Sequence, residues 1–66
     1  MVYTIIKLEG SSPKSWEDAV NNAVTEAAKT VRGIQRVMVD NLDCKVENNK
    51  IAEYRADVRI SFKLER

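Results

Sequence analysis

The order of apolar and polar positions changes period along the chain. Residues 2–9, Val-Tyr-Thr-Ile-Ile-Lys-Leu-Glu, are rich in β-branched and aromatic side chains and read as a first strand. Gly10-Ser11-Ser12-Pro13 then supplies turn chemistry that ends the run. From Trp16 the apolar positions are Trp16, Ala19, Val20, Ala23, Val24, Ala27, Ala28 and Val31. Their spacing by threes and fours is one stripe of an amphipathic helix. Two starts fit it: Ser12 as cap with Pro13 at the first helical position, or Ser15 as cap with Asp18 three residues on. Arg32 and Gly33 suit its end, so the helix is expected over about 14–32.

Beyond Gly33 the period becomes two. Ala52, Tyr54, Ala56, Val58, Ile60, Phe62 and Leu64 alternate with Glu53, Arg55, Asp57, Arg59, Ser61 and Lys63, giving one apolar face and one charged face. Residues 34–47 form the preceding strand, and Asn48-Asn49 suits a two-residue hairpin turn because Asn tolerates positive φ. The element order is therefore β-α-β-β, an α+β subunit. With Glu47 opposite Lys50, the hairpin sets Val39 against Val58 and Val37 against Ile60 on the face that the helix covers. On the other face an unbroken ladder pairs Leu42 with Arg55, Met38 with Arg59, Arg36 with Ser61 and Asp40 with Asp57.

Element lengths bear on assembly. Strands of about 14 residues run roughly 45 Å, whereas a helix of about 19 residues covers roughly 28 Å, so part of the sheet is left bare. The helix-side overhang carries Ala52, Tyr54 and Ala56, and the charged face carries Met38, Leu42 and Cys44 as isolated apolar members. Other subunits are expected to cover these surfaces.

Composition sharpens that expectation. Sixty-six residues make one domain, 1–66, and a core of that size without disulfide or zinc supplies about 3–5 kcal/mol, which leaves association as the remaining staple. With 11 Lys+Arg against 10 Asp+Glu the net charge is +1, so no broad field points to nucleic acid or to a membrane surface. Histidine is absent and Cys44 is alone, which excludes Ser-His-Asp and Cys-His sites and His- or Cys-rich zinc sites from one chain. The single thiol fits a reducing compartment, and no run of about 20 apolar residues is present, so the expected location is cytoplasmic.

Candidate chemistry is sparse. Asp40 beside Asp57 is the one carboxylate pair, read either as a cation site or as charges neutralised by the diagonal Arg55 and Arg59. Asp43, Glu47 and Glu53 add oxygens without the spacing of an EF-hand loop. Trp16, on the helix stripe, is assigned to the core, and Cys44 to a packing or spectator role.

Several segments together resemble the dodecin family over nearly the whole chain. They are Met-Val-Tyr-x-x-Ile at the start, Gly10-x-Ser12-Pro13-x-Ser15-Trp16-Glu17-x-Ala19-Val20 entering the helix, Arg32-Gly33-Ile34 leaving it, Glu53-Tyr54-Arg55, and Ser61-Phe62-Lys63-Leu64-Glu65. The resemblance implies a three-stranded antiparallel sheet wrapped partly round one helix, assembled as a hollow homododecamer of cubic symmetry. It implies a non-enzymatic protein that stores a flavin, riboflavin or FMN, or a related aromatic ligand. The family's stacking Trp and its hydrogen-bonding Gln correspond here to Arg36 and Arg55, and Lys63 to a basic residue near a phosphate. Arg lacks the aromatic face and, having donors only, cannot accept from the flavin ring, so weaker flavin binding is expected. Some members are described as calcium-binding, which makes a calcium-type or purely structural shell the alternative, with Asp40 and Asp57 as the metal candidates.

Overall fold

The structure, a computed structural model, describes residues 1–64. Its elements are β1 (Tyr3–Ser12), α1 (Trp16–Ala27), β2 (Ile34–Glu47) and β3 (Lys50–Lys63). The sheet order is β1-β3-β2, with both pairings antiparallel. Asn48 and Asn49, at φ 52° and 61°, form the hairpin turn, and Glu47 lies opposite Lys50 as expected. Two left-handed residues match the twist of the flanking strands, which is why Asn-Asn closes this hairpin. The molecule measures 50 × 19 × 13 Å, because the two hairpin strands run far past a short helix.

The helix is shorter than its apolar stripe. Ser15, in extended conformation, caps it by accepting from Asp18 N at 3.0 Å, so Pro13 lies outside. Ser12 is buried; it donates to Asp18 Oδ2 at 2.6 Å and accepts from Lys14 N, tying the connection to the first turn. At the other end Lys29 N and Thr30 N bond three residues back, to Glu26 and Ala27, and the Thr30 hydroxyl shares the Ala27 carbonyl. The stripe continues to Val31 as a tightened turn, and Gly33, at φ 72°, leads into β2.

β1 is longer than expected, for a related reason. Gly10, Ser11 and Ser12 stay in the sheet opposite Ala56, Arg55 and Tyr54. A Cβ on Gly10 would collide with the Ala19 carbonyl oxygen, so this glycine admits the helix and does not end the strand. The small stripe Ala19, Ala23 and Ala27 lies on Ala56, Val58 and Ile60, and these six are the buried apolar core. Ile6, Leu8, Val24 and Val37 pack round it, half-buried.

Trp16 departs from its assigned place in the core. It is 39% exposed and sits past the end of the stripe, edge-on to Tyr54 with ring centroids 5.2 Å apart. Its indole N–H donates to the Asp43 carbonyl at 3.0 Å, pinning the helix start to β2.

The unbroken ladder also gives way, at Asp40. Val37 and Val39 face Ile60 and Val58 as expected, and Arg36 and Met38 face Ser61 and Arg59. Asp57, however, faces Asn41, and Arg55 faces Asp43, because Asp40 is an extra residue in β2. An opposite extra residue, Ala52 in β3, restores the original register at Val46/Ile51 and Glu47/Lys50. Between the two bulges the parity is reversed, so Leu42 pairs with Ala56 and Cys44 with Tyr54 on the helix side. Of Met38, Leu42 and Cys44, Met38 alone stays on the charged face. The overhang beyond the helix is therefore more apolar than the alternating pattern implies, with Leu42, Val46 and Ile51 exposed along it. Val39, expected under the helix, is 49% exposed on the edge strand.

Candidate functional site

The face of the sheet away from the helix is ordered in rows by the pairing. From one end these are Tyr3 and Lys63; Ile5, Ser61 and Arg36; Lys7, Arg59 and Met38; Glu9, Asp57 and Asn41; then Ser11, Arg55 and Asp43. The sequence-derived candidates all lie on or beside this face, spread along its length.

Arg36 stands near the start of β2, on an exposed edge strand. Tyr3, Ile5, Gln35 and Ser61 join it round a concavity of about 350 Å³. One wall is an aromatic ring, another an aliphatic chain, and the polar groups are a guanidinium, an amide and a hydroxyl. Gln35 is the extra residue of a third bulge, between Ile34 and Arg36, and its side-chain amide donates to the Gly33 carbonyl at 3.4 Å. Tyr3, Ile5 and Gln35 were missed by the sequence reading. The hairpin register was available from the Asn-Asn turn, but the long-range pairing of β1 with β3, which brings Tyr3 and Ile5 alongside, has no turn to set it.

Arg55 and Lys63 lie apart from one another. Arg55 is six positions from Ser61 along β3, about 20 Å from the Arg36 row. One chain does not bring Arg36 and Arg55 to a single ligand. Arg55 Nε donates to Asp43 Oδ1 at 2.8 Å, and that bond, with the Asp43 charge, raises the guanidinium above its already high ordinary pKa. Lys63 is exposed next to the Ser61 row, and its backbone N–H donates to the Gly33 carbonyl. It lines a smaller hollow of about 240 Å³ with Thr30, Val31 and Arg32 among others.

Asp40 and Asp57 line one hollow of about 370 Å³, together with Lys7, Leu8, Glu9 and Val58. They are not opposite each other; the directly opposed carboxylates are Glu9 and Asp57. Arg59 Nε donates to both Asp40 oxygens, at 3.0 and 2.8 Å, and this raises the Arg59 pKa as Asp43 raises that of Arg55. The neutralising role foreseen for the arginines therefore falls to Arg59 on Asp40 and to Arg55 on Asp43. Calcium takes six to eight oxygens. Among the described residues no group of three or more His, Cys, Asp or Glu side chains is placed to hold a metal ion.

The dodecin family model matches residues 2–65. This chain belongs to the dodecin family. Among curated relatives it is 36% identical over 63 residues, 96% of this chain and 89% of the relative, to the calcium dodecin of Mycobacterium tuberculosis. Among solved structures it is similar to dodecin from Streptomyces coelicolor, with a TM-score of 0.95 and 29% identity over 98% of this chain and 93% of that one. The crystal structure of the M. tuberculosis calcium dodecin, described as having a novel calcium-binding site, matches with a TM-score of 0.87 and 35% identity. Its match covers 98% of this chain and 93% of that chain. This dodecin has the β-α-β-β order and the three-stranded antiparallel sheet that the resemblance implied. Among the described residues no helix is long and apolar enough to cross a membrane.

Proposed function

We propose that this dodecin is the subunit of a hollow homododecamer in the cytoplasm that holds a flavin, riboflavin or FMN, without chemical turnover. The observation that carries the reading is the concavity at Arg36. An isoalloxazine is a flat ring with an apolar end and a polar edge. Tyr3 and Ile5 offer apolar walls, the Arg36 guanidinium is planar and stacks on π-faces, and the Gln35 amide both donates and accepts. Arg55, about 20 Å away within the chain, joins such a site only from a neighbouring subunit, and Lys63, next to the Ser61 row, is suited to an FMN phosphate. Assembly is supported by the apolar overhang of Leu42, Val46 and Ile51, which a lone subunit leaves in water.

Gel filtration of the protein after incubation with riboflavin tests this reading. The yellow colour is expected to elute with protein at the mass of a dodecamer. All of the flavin eluting at low mass, with the dodecamer colourless, would refute it.

The calcium-type shell is the second reading, favoured by the 36% identity to a calcium dodecin and by the hollow that Glu9, Asp40 and Asp57 share. Within a shell, symmetry-related carboxylates add oxygens to those of one chain. Calcium uptake by the assembled protein, in the absence of flavin uptake, would favour it.

A further inference from the structure

The charges round the Arg36 hollow are one-sided. No acidic side chain lines it. The ion pairs of the described residues engage Lys29, Lys45, Arg55 and Arg59, and leave Arg36, Lys63 and Lys7 outside. These three occupy adjacent rows at the same end of the outer face, and the carboxylates of that face begin only at Glu9, Asp57 and the clamped Asp40. The hollow thus joins a flat apolar wall to a cation whose counter-charge the described residues do not supply.

We propose that the hollow selects planar aromatic ligands that carry negative charge on or beside the ring, over neutral rings of the same shape. This rests on the reading of the Arg36 concavity as the ligand site and adds the determinant of choice within it. A guanidinium laid on a ring or gripping its edge leaves its charge uncompensated by a neutral ligand, whereas an anion pairs with it through charge-assisted hydrogen bonds. The apolar contribution of Tyr3 and Ile5 is common to both ligands and so cancels in the comparison. Among flavins, the rule favours a ring that bears charge itself over the neutral oxidised ring.

Equilibrium dialysis of the assembled protein against 2-naphthoate and 2-naphthylmethanol, read by the fluorescence of the probes, separates shape from charge. The anion is expected to bind about tenfold tighter than the alcohol. In Arg36→Gln the ratio is expected to fall below about twofold, while Arg36→Lys keeps an intermediate preference. Equal binding of the two probes, no measurable binding of the anion, or a preference that survives Arg36→Gln would each overturn the proposal. Arg36 is exposed and outside the described ion pairs, so these variants are expected to keep the wild-type mass by light scattering; if Arg36→Gln fails to assemble, the ratio in the wild type decides. Failure of the flavin reading shows separately, as riboflavin that does not co-elute while the naphthoate preference persists.

Discussion

Asp40 of β2 and Ala52 of β3 both stand without a cross-strand partner, and the two bulges they make cancel. The hairpin keeps its register at the turn and beneath the helix, while the stretch between the bulges is turned over. Leu42 and Cys44 move to the helix side, and Asp40 is left beside Asn41 on the outer face, where Arg59 takes both of its oxygens. A bulge raises local twist, which curves the long hairpin where it leaves the cover of the helix.

That placement makes Leu42 part of the surface assigned to assembly. Leu42→Glu sets a charge into the exposed row that continues the core, so the variant is expected to lose the dodecameric mass in light scattering while keeping its far-ultraviolet circular dichroism. A Leu42→Glu protein of unchanged mass would show that the helix-side overhang is not an assembly surface.

Gly10 sets how closely the helix approaches β1. Gly10→Ala drives a Cβ against the Ala19 carbonyl and is expected to destabilise the fold by about 1–3 kcal/mol, read as a lower urea midpoint at fixed protein concentration. An unchanged midpoint would mean that the helix shifts without cost and that the alanine stripe tolerates a wider spacing.

Much of this architecture is legible in the sequence, and the parts that are not trace to unpaired residues, a tightened helix end and a long-range strand pairing. The Asn-Asn turn, the Val37/Ile60 and Val39/Val58 pairs and the helix stripe follow from local periodicity and local turn chemistry, and the structure carries all of them. The bulges do leave a trace in the sequence. In β2 the helix-side apolar residues change parity from Val37 and Val39 to Leu42, Cys44 and Val46, and in β3 from Ile51 to Tyr54. A strict period of two assumes that no residue is unpaired, so it placed Leu42 and Cys44 on the wrong face and Asp40 opposite Asp57. The overlong helix has a different origin: Ala28 and Val31 keep the helical spacing, but Thr30 competes for the Ala27 carbonyl and the last turn tightens. At the candidate site, Arg36 was reached through the resemblance, whereas Tyr3 and Ile5 depend on a strand pairing that spans nearly the whole chain.

Arg59 governs access to the Asp40 carboxylate. Its pKa is raised by the bond to Asp40, so the guanidinium is charged below its ordinary value and stays charged until pH rises through the raised one. Between roughly pH 5 and 9 it neither gains nor loses a proton, and its grip on Asp40 is not released by its own titration. Arg59→Gln is therefore the way to free Asp40, and it is expected to raise calcium uptake over the wild type at a given free calcium if the Glu9, Asp40 and Asp57 hollow takes cations. Equal uptake by the variant and the wild type in calcium-titration calorimetry would remove that hollow from consideration.

Arg36→Trp restores an aromatic plate at the wall of the concavity. Stacking contributes about 0.5–1.5 kcal/mol beyond buried area, so riboflavin is expected to bind about two- to tenfold tighter to this variant. Unchanged affinity in a protein of unchanged mass would show that residue 36 does not touch the ring.

Whether a flavin sits against Arg36 is decided by fluorescence titration of riboflavin and FMN with wild-type protein and with Arg36→Glu, both of checked mass. Saturable quenching of both flavins by the wild type is expected, and clearly weaker quenching by the charge-reversed variant, with FMN the more affected. No quenching by an intact wild-type assembly, or equal quenching by the two proteins, would contradict a flavin at Arg36.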